Sequence, residues 1–273
     1  MSFQKSQFTV VIPFYNEENF LGRTLDSWAE QNRLPDHMIL VDNASTDSSW
    51  DIAEQFRQRQ LGRIKVDVLM ERRPGKVYAL DKSQQYLEGE WAVFCDADTW
   101  YPSHYLQKIE EIAEHSKESV VCIMALDLKD EPSCQESQRT IFIKKIASTI
   151  FHDKCHTGGF GQTIRISALR KAGGFGVKFW NFVLMDHEII YRVHHFGTSR
   201  YDKDLWCIPS TRRSDRSRVR WTPFEMFLYF VLPFPLGRWF FYRYLRGQFL
   251  HRKLRHRNLR AQPWQIPNLG VAS

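Results

Sequence analysis

Trp91-Ala92-Val93-Phe94-Cys95-Asp96-Ala97-Asp98 is the stretch on which the fold turns. Ala92 to Cys95 is a short apolar run, bounded on the left by Glu88-Gly89-Glu90, and predicts a buried strand. That strand ends on two carboxylates one residue apart. Burying them is costly unless a cation neutralises them. Ligands of open α/β sheets sit beyond the carboxyl ends of the strands. Side chains two residues apart point the same way while the strand persists, so both acids can face one hard cation. The predicted feature is a divalent-metal site that also holds a phosphate. The competing reading is a turn, because Asp-Ala-Asp-Thr is also good turn or N-cap sequence.

Upstream, Phe8 to Pro13 reads as a first parallel strand ended by proline, followed by the loop Phe14-Tyr15-Asn16-Glu17-Glu18. Asn19 to Gln31 has helical spacing, with Phe20, Leu21, Leu25 and Trp28 on one face. Met38 to Val41 is a second strand. It ends in Asp42-Asn43-Ala44-Ser45-Thr46-Asp47, a polar loop rich in cap residues, and Ser48 to Gln60 is a second helix. Ile64 to Leu69 alternates as a third strand. Pro74-Gly75-Lys76 turns into a helix over Val77 to Leu87. After the acid-tipped strand a helix runs from Ser103 to His115. This β-α-β-α-β-α-β-α order implies a mainly parallel sheet with right-handed crossovers. No G-x-G-x-x-G follows the first strand, and no G-x-x-x-x-G-K-[ST] occurs.

Downstream the pattern is less regular. Val120 to Leu128 predicts a strand and Gln138 to Phe151 a helix. Gly158 to Gln162 is a glycine-rich turn, and Thr163 to Ile166 leads into a helix over Ser167 to Ala172, ended by Gly173-Gly174. Met185-Asp186-His187-Glu188 opens another helix, where the helix dipole alone favours Asp186 and Glu188. Thr211 to Arg218 is a basic loop. After Trp221 the composition becomes aromatic and basic.

At 273 residues and 43% hydrophobic, the chain suits one large α/β domain with an appendage and excludes global disorder. The net charge of +7 is uneven. Arg238, Arg243, Arg246, Arg252, Lys253, Arg255, Arg257 and Arg260 follow one another with no acid between them, which suits an anionic membrane surface or nucleic acid. No nucleic-acid motif accompanies them, so no nucleic-acid partner is expected. The five cysteines lack metal-type spacing and point to a reducing compartment, without a disulfide framework or zinc site. The first residues carry no signal-peptide core. No stretch offers about 18 uncharged apolar residues. The expected location is cytoplasmic, peripheral at the inner face of the cytoplasmic membrane.

Taken in order, the motifs resemble the family 2 glycosyltransferases of bacterial type with the GT-A fold. Val10 to Glu18 matches the opening V-x-I-P-x-Y-N-E-E, and Val41 to Asp47 matches V-D-[DN]-x-S-x-D. Gly75-Lys76 through Ala79 matches G-[KR]-x-x-A, and Asp96-Ala97-Asp98 matches D-x-D. Gly173-Gly174-Phe175 followed by Met185-Asp186-His187-Glu188 resembles the G-G-F…E-D-x-[ED] acceptor region. The resemblance covers residues 8 to 215. It departs at Met185, where the usual acid is missing. Ser217-Arg218-Val219-Arg220-Trp221 keeps the Arg-Trp of a processive Q-x-x-R-W signature without its Gln, which argues against a processive synthase.

The resemblance implies a GT-A domain over residues 1–221, with a Rossmann-like sheet flanked by helices. Residues 222–273 form a helical aromatic and basic extension. It implies an inverting, metal-dependent transfer from a nucleotide sugar, a UDP-sugar first, to a hydroxyl of a saccharide or lipid-linked acceptor in cell-surface polysaccharide or glycolipid synthesis. Mn²⁺ or Mg²⁺ would be held by Asp96 and Asp98, with Asp96 also reaching the ribose. Pro13, Tyr15, Glu17, Asp42 and Lys76 would form the nucleotide pocket. Asp186 would be the general base, and Glu188 would position the acceptor. Arg212 and Arg213 would close over the diphosphate, or else form an ordinary solvated loop. Helix capping is the competing role for Asp42 and Asp47. Residues 222–260 would lie in the membrane interface, or else pack on the domain or on a second subunit as a homo-oligomer. The alternatives are a nucleotidyltransferase, which also uses carboxylates and a metal, and a degenerate member acting as a binding protein.

Overall fold

The computed structural model describes residues 7–210 and 221–255. Strand β1 (Phe8–Phe14) is followed by α1 (Leu21–Ala29), β2 (His37–Asp42), α2 (Ser49–Arg59), β3 (Lys65–Met70) and α3 (Lys76–Ser83). Next come β4 (Trp91–Phe94), β5 (Thr99–Trp100), α4 (Tyr105–Glu114), β6 (Val120–Asp127) and α5 (Gln135–Ile150). The chain continues through β7 (Gln162–Arg165), α6 (Ile166–Lys171), α7 (Met185–Val193), β8 (Thr198–Pro209) and α8 (Pro223–Val231). A last helical run passes from α9 (Gly237–Trp239) through the π-helical turn Phe240–Leu245 into α10 (Arg246–His251).

The strands lie in the order β3-β2-β1-β4-β7-β6-β8-β5. β3, β2, β1 and β4 are mutually parallel, β7 is antiparallel to both β4 and β6, and β8 runs parallel to β6. The interior strands β1 and β2 are buried at every residue. That is why they read as unbroken apolar runs: a parallel sheet is covered on both faces.

Alternation along each strand then divides two cores. Val11, Ile39, Val41, Ala92 and Phe94 face α3, α6, α7 and the C-terminal helices. Val10, Ile12, Met38, Leu40 and Val93 face α1, α2 and α4. Trp28 of α1 is fully buried in the second core against Tyr101 and Tyr105. Truncating it to alanine would cost about 3–5 kcal/mol. Tyr229, Phe240, Phe241, Leu245 and Phe249 belong to the first core together with Ile189 and Ile190 of α7. Those C-terminal aromatics are thus part of the same apolar cluster as the sheet.

Two features differ from the sequence reading. β8 and β5 were not expected. β8 is polar for its first seven residues and buried only at Leu205, Trp206 and Cys207, so it carries no clear alternation. α5 starts at Gln135 rather than Gln138, because Cys134 in an extended conformation takes the N-cap position.

Candidate active site

β1, β2 and β4 all deliver their carboxyl ends to one edge of the sheet. Phe14 stands opposite Asp42 in the β1–β2 register, and Asp42 opposite Met70 in β2–β3. Asp42 is fully buried, and the Ser45 backbone N–H donates to both of its oxygens at 3.2 Å. Burial pushes its carboxyl above the usual range, while the Ser45 hydrogen bonds pull the other way.

The loops after β1 and β2 clamp each other. Asn16 N–H donates to Ser45 Oγ at 3.1 Å, and Thr46 N–H donates back to Asn16 Oδ1 at 2.8 Å. Glu17 N–H donates to Ser49 Oγ at 2.8 Å, and Glu18 N–H to Asp47 Oδ2 at 3.1 Å. Asp47 Oδ1 also accepts from Ser49 N–H at 3.0 Å, so Asp47 fixes the start of α2. Pro13 is buried within β1 opposite Val41, and Tyr15 and Glu17 line the half-buried start of the first loop.

Asn43 positions a third loop. Its Nδ2 donates to the carbonyls of Glu71 at 2.9 Å and Arg73 at 2.8 Å, and its Oδ1 accepts from Gly75 N–H at 2.8 Å. Gly75 has φ +134°, a conformation side-chain-bearing residues avoid, and it hands the chain into α3 with Lys76 first. Lys76 Nζ then forms an ion pair with Asp96.

β4 stops at Phe94, so Asp96 and Asp98 stand just past the strand. Asp98 is 8% exposed. The short segment is held from three sides. Thr24 Oγ1 donates to Ala97 O at 2.9 Å, Ser210 N–H to Asp98 O at 2.9 Å, and Asp96 N–H to Tyr101 Oη at 3.3 Å. The buried Tyr101 hydroxyl donates onward to Phe160 O at 2.7 Å, and burial holds that phenol well above its ordinary value. It links the paired acids to the glycine turn at 158–161.

That turn brings in Asp186. Gly159 N–H donates to Asp186 Oδ2 at 3.0 Å, and His187 N–H to Asp186 Oδ1 at 3.1 Å. A Cβ on Gly159 would lie 3.3 Å from Lys76 Nζ and 3.7 Å from Asp186 Cβ. Lys76, Asp96, Gly159 and Asp186 therefore converge on one spot. Leu184, the N-cap of α7, has φ +61° and turns the helix start inward. Asn16 and Ala44 have the same left-handed sign at the ends of β1 and β2. Side chains adopt this conformation at a cost of roughly 1–2 kcal/mol, and such strain clusters at working sites.

The expected role of Glu188 is to position the acceptor, and the structure shows what the side chain touches. It is 1% exposed, and its oxygens accept from Arg192 at 2.7 and 3.0 Å and from the Tyr242 hydroxyl. Arg192 in turn donates to the carbonyls of Ala172 at 2.6 Å and Gly174 at 2.7 Å. The carboxylate ties α7 to the Gly173-Gly174 turn and to the C-terminal helix, because an acid and an arginine four residues apart share one helix face. Met185 is 6% exposed and lies in the apolar core, so the missing acid has become a packing residue. Arg212 and Arg213 lie outside the described residues.

Among the described residues no three His, Cys, Asp or Glu side chains are grouped to hold a metal by themselves. Asp96 and Asp98 fit the other kind of site. Mg²⁺ and its relatives are commonly held by one or two carboxylates, with phosphate oxygens and water completing the shell.

The site is thus a wound α/β sheet with acids, an ion-paired lysine and a helix-mounted aspartate gathered at its carboxyl edge, the place where sheets of this class bind ligands. The family model described as "Glycosyl transferase family 2" matches residues 9–173. This chain belongs to glycosyl transferase family 2 and has the GT-A fold. It is 31% identical over 113 residues to a putative teichuronic acid biosynthesis glycosyltransferase, TuaG, of Bacillus subtilis, covering 41% of this chain and 44% of that protein. The mannosyltransferase PcManGT from Pyrobaculum calidifontis, in complex with GDP-Man and Mn²⁺, superposes with a TM-score of 0.63 at 19% identity. That match covers 79% of this chain and 61% of the other. Staphylococcus aureus TarS 1-349 in complex with UDP-GlcNAc gives a TM-score of 0.57 at 17% identity, covering 89% and 73%. The chain spans 16%, 38% and 37% of the length of three further curated relatives.

Proposed function

We propose that this protein transfers a sugar, with inversion, from a nucleoside-diphosphate donor to a hydroxyl of a saccharide or lipid-linked acceptor. The observation that carries the reading is the convergence of Lys76, Asp96, Gly159 and Asp186 at the carboxyl edge of the sheet that also ends in the buried Asp42. Asp42 holds the base edge, walled by Pro13, Tyr15 and Glu17. Lys76 balances charge at the diphosphate, and Arg212 and Arg213 supply further guanidinium groups there. Asp96 and Asp98 would hold Mn²⁺ or Mg²⁺, which supplies Lewis-acid neutralisation of the leaving diphosphate. The Mn²⁺ in the PcManGT complex supports a divalent ion.

Asp186 is the general base. Its two backbone hydrogen bonds, from Gly159 and His187, fix the carboxylate in place. It takes the acceptor hydroxyl proton as that oxygen bonds the anomeric carbon. The bond from that carbon to the diphosphate oxygen breaks, and the nucleoside diphosphate leaves. Direct displacement inverts the centre. Glu188 acts behind it as a positioning residue, through Arg192 and the Gly173-Gly174 turn. The relatives include a teichuronic acid glycosyltransferase, which supports a role in cell-surface polysaccharide or glycolipid synthesis. No described helix is long and apolar enough to cross a membrane. Peripheral contact through residues 222–260 at the inner membrane face accounts for access to a lipid-linked acceptor.

The test is nucleoside diphosphate release from a panel of UDP- and GDP-sugars, with Mn²⁺ or Mg²⁺ and with EDTA. Release that depends on metal and is lost in Asp98→Asn supports the reading. Indifference to EDTA removes the metal role of Asp96 and Asp98. Pyrophosphate as the product makes the enzyme a nucleotidyltransferase instead.

A further inference from the structure

α5 wears its faces in reverse. Its inward positions are polar or mixed: Ser137 is buried and donates to Asp130 O at 2.9 Å, Lys144 donates to His156 O at 3.1 Å, and Ile141 packs on Trp206. Its outward positions are apolar. Phe142, Ile143, Ile146 and Ile150 are 65%, 64%, 43% and 63% exposed, and their spacing puts them on one stripe. A surface helix normally does the opposite, and an apolar stripe left outward marks a contact.

The stripe continues onto α8. The end of α5 is joined to the end of α8 by Phe151 against Phe230, with ring centroids 5.1 Å apart, and by Lys154 Nζ donating to Leu232 O at 2.8 Å. α8 turns Glu225 and Tyr229 inward and leaves Phe224, Phe227 and Val231 about as exposed as the α5 stripe. Phe224 touches Tyr244, whose ring stacks on the half-exposed Trp239. The same C-terminal run carries the exposed bases Arg238, Arg243, Arg246, Lys253 and Arg255. From Met226 to Arg255 the sequence has no acid.

We infer that α5 and α8, edged by this basic helix, form one docking surface for an anionic lipid bilayer, with the α5 stripe entering the headgroup layer. Charge decides the occupant. Apolar stripes bordered by Trp and Arg suit the headgroup boundary of anionic lipid. A second copy joined through this face on a two-fold axis would set base against base. The inference rests on the membrane contact proposed for residues 222–260 and adds an element from the middle of the chain. It is independent of which sugar is transferred.

The test is co-sedimentation of the full chain with phosphatidylcholine vesicles, with and without phosphatidylglycerol. The wild type is expected to bind the anionic vesicles about tenfold or more tightly. The triple variant Phe142→Ser/Ile143→Ser/Ile146→Ser is expected to lose about tenfold or more of that binding. Nucleoside diphosphate release from the donor should stay unchanged and reports that the variant is folded. If the α5 variant binds like wild type while Phe224→Ser/Phe227→Ser/Val231→Ser does not, contact is confined to the C-terminal region and the inference falls. Wild type that ignores anionic vesicles, or that forms a dimer which the α5 variant splits, also overturns it. In those cases intact donor turnover shows that the transfer reading survives.

Discussion

The two walls of the candidate site are built from different materials. On the β1–β2 side, short polar side chains lace three loops together: Asn16 with Ser45 and Thr46, Asp47 with Glu18 and Ser49, and Asn43 with Glu71, Arg73 and Gly75. On the α7–α8 side, rings do that work. Trp221 and Tyr229 pack on His187, Phe240 stacks on Trp221, Trp180 packs on Phe241, and only a few hydrogen bonds fix Asp186. Directional bonds hold a wall that must match a fixed ligand shape. Aromatic packing is less directional and leaves room for sequence to vary.

The sharpest way to break this comparison is to remove one carboxylate from each wall. Asp186→Asn should lower transfer about a thousandfold through loss of the base while leaving donor affinity near wild type. Asp42→Asn should do the reverse and weaken donor binding first. Steady-state kinetics paired with donor titration separates the two, and equal losses in both measurements for both variants would dissolve the distinction.

Next is the lacing itself. Asn43 is 3% exposed, and Asn43→Ala would leave two carbonyls and one N–H without their partner. A loss of about 2–3 kcal/mol in urea unfolding is expected, together with weaker donor binding, because Lys76 follows that loop.

A smaller effect comes from acid. His156, His187 and His194 all lie on the second wall, and burial is the main cause that holds each imidazole below its ordinary value of 6.5. A histidine depressed in the folded state gives stability that is present above about pH 6.5 and lost as pH falls through the depressed value. Asp42 has the opposite sign, since burial raises its carboxyl and its contribution fades as pH rises. Hydrogen exchange at pH 7 and pH 5 should therefore show residues 151–157 and α7 opening before the β1 and β2 loops. Simultaneous opening would contradict the assignment of acid sensitivity to these histidines.

Least is Tyr242→Phe. It removes one hydrogen bond to Glu188 while Arg192 keeps both of its own, so about 1 kcal/mol in thermal or urea unfolding is expected, with donor turnover nearly unchanged.

The same contrast governs what the sequence discloses. The parallel strands β1, β2 and β4 announce themselves because each is a short apolar run ending in punctuation, and burial on both faces demands that pattern, while the part-exposed β3 shows as an alternation. Asp42, Lys76 and Asp96 stand at those endings, so they were legible one by one. Asn43 was visible only as a motif letter. Its function arises from two loops meeting, which no local pattern records. Tyr101 gave no signal, since a buried phenol linking Asp96 to Phe160 reads as one more aromatic. Glu188 was legible only in part for a related reason. Arg192 four residues on was available as its partner, but the turn and the tyrosine that complete the set come from distant segments. β8 stayed hidden because a strand covered for only a few residues has no period to detect.

The pairing of Lys76 with Asp96 has one more consequence. The polypeptide brings its own counter-ion to the place where a strand ends in acid. Newly made chain can therefore close this pocket before any small molecule reaches it. What enters later trades places with an ammonium group already there, and occupancy becomes a contest between two positive partners for one oxygen.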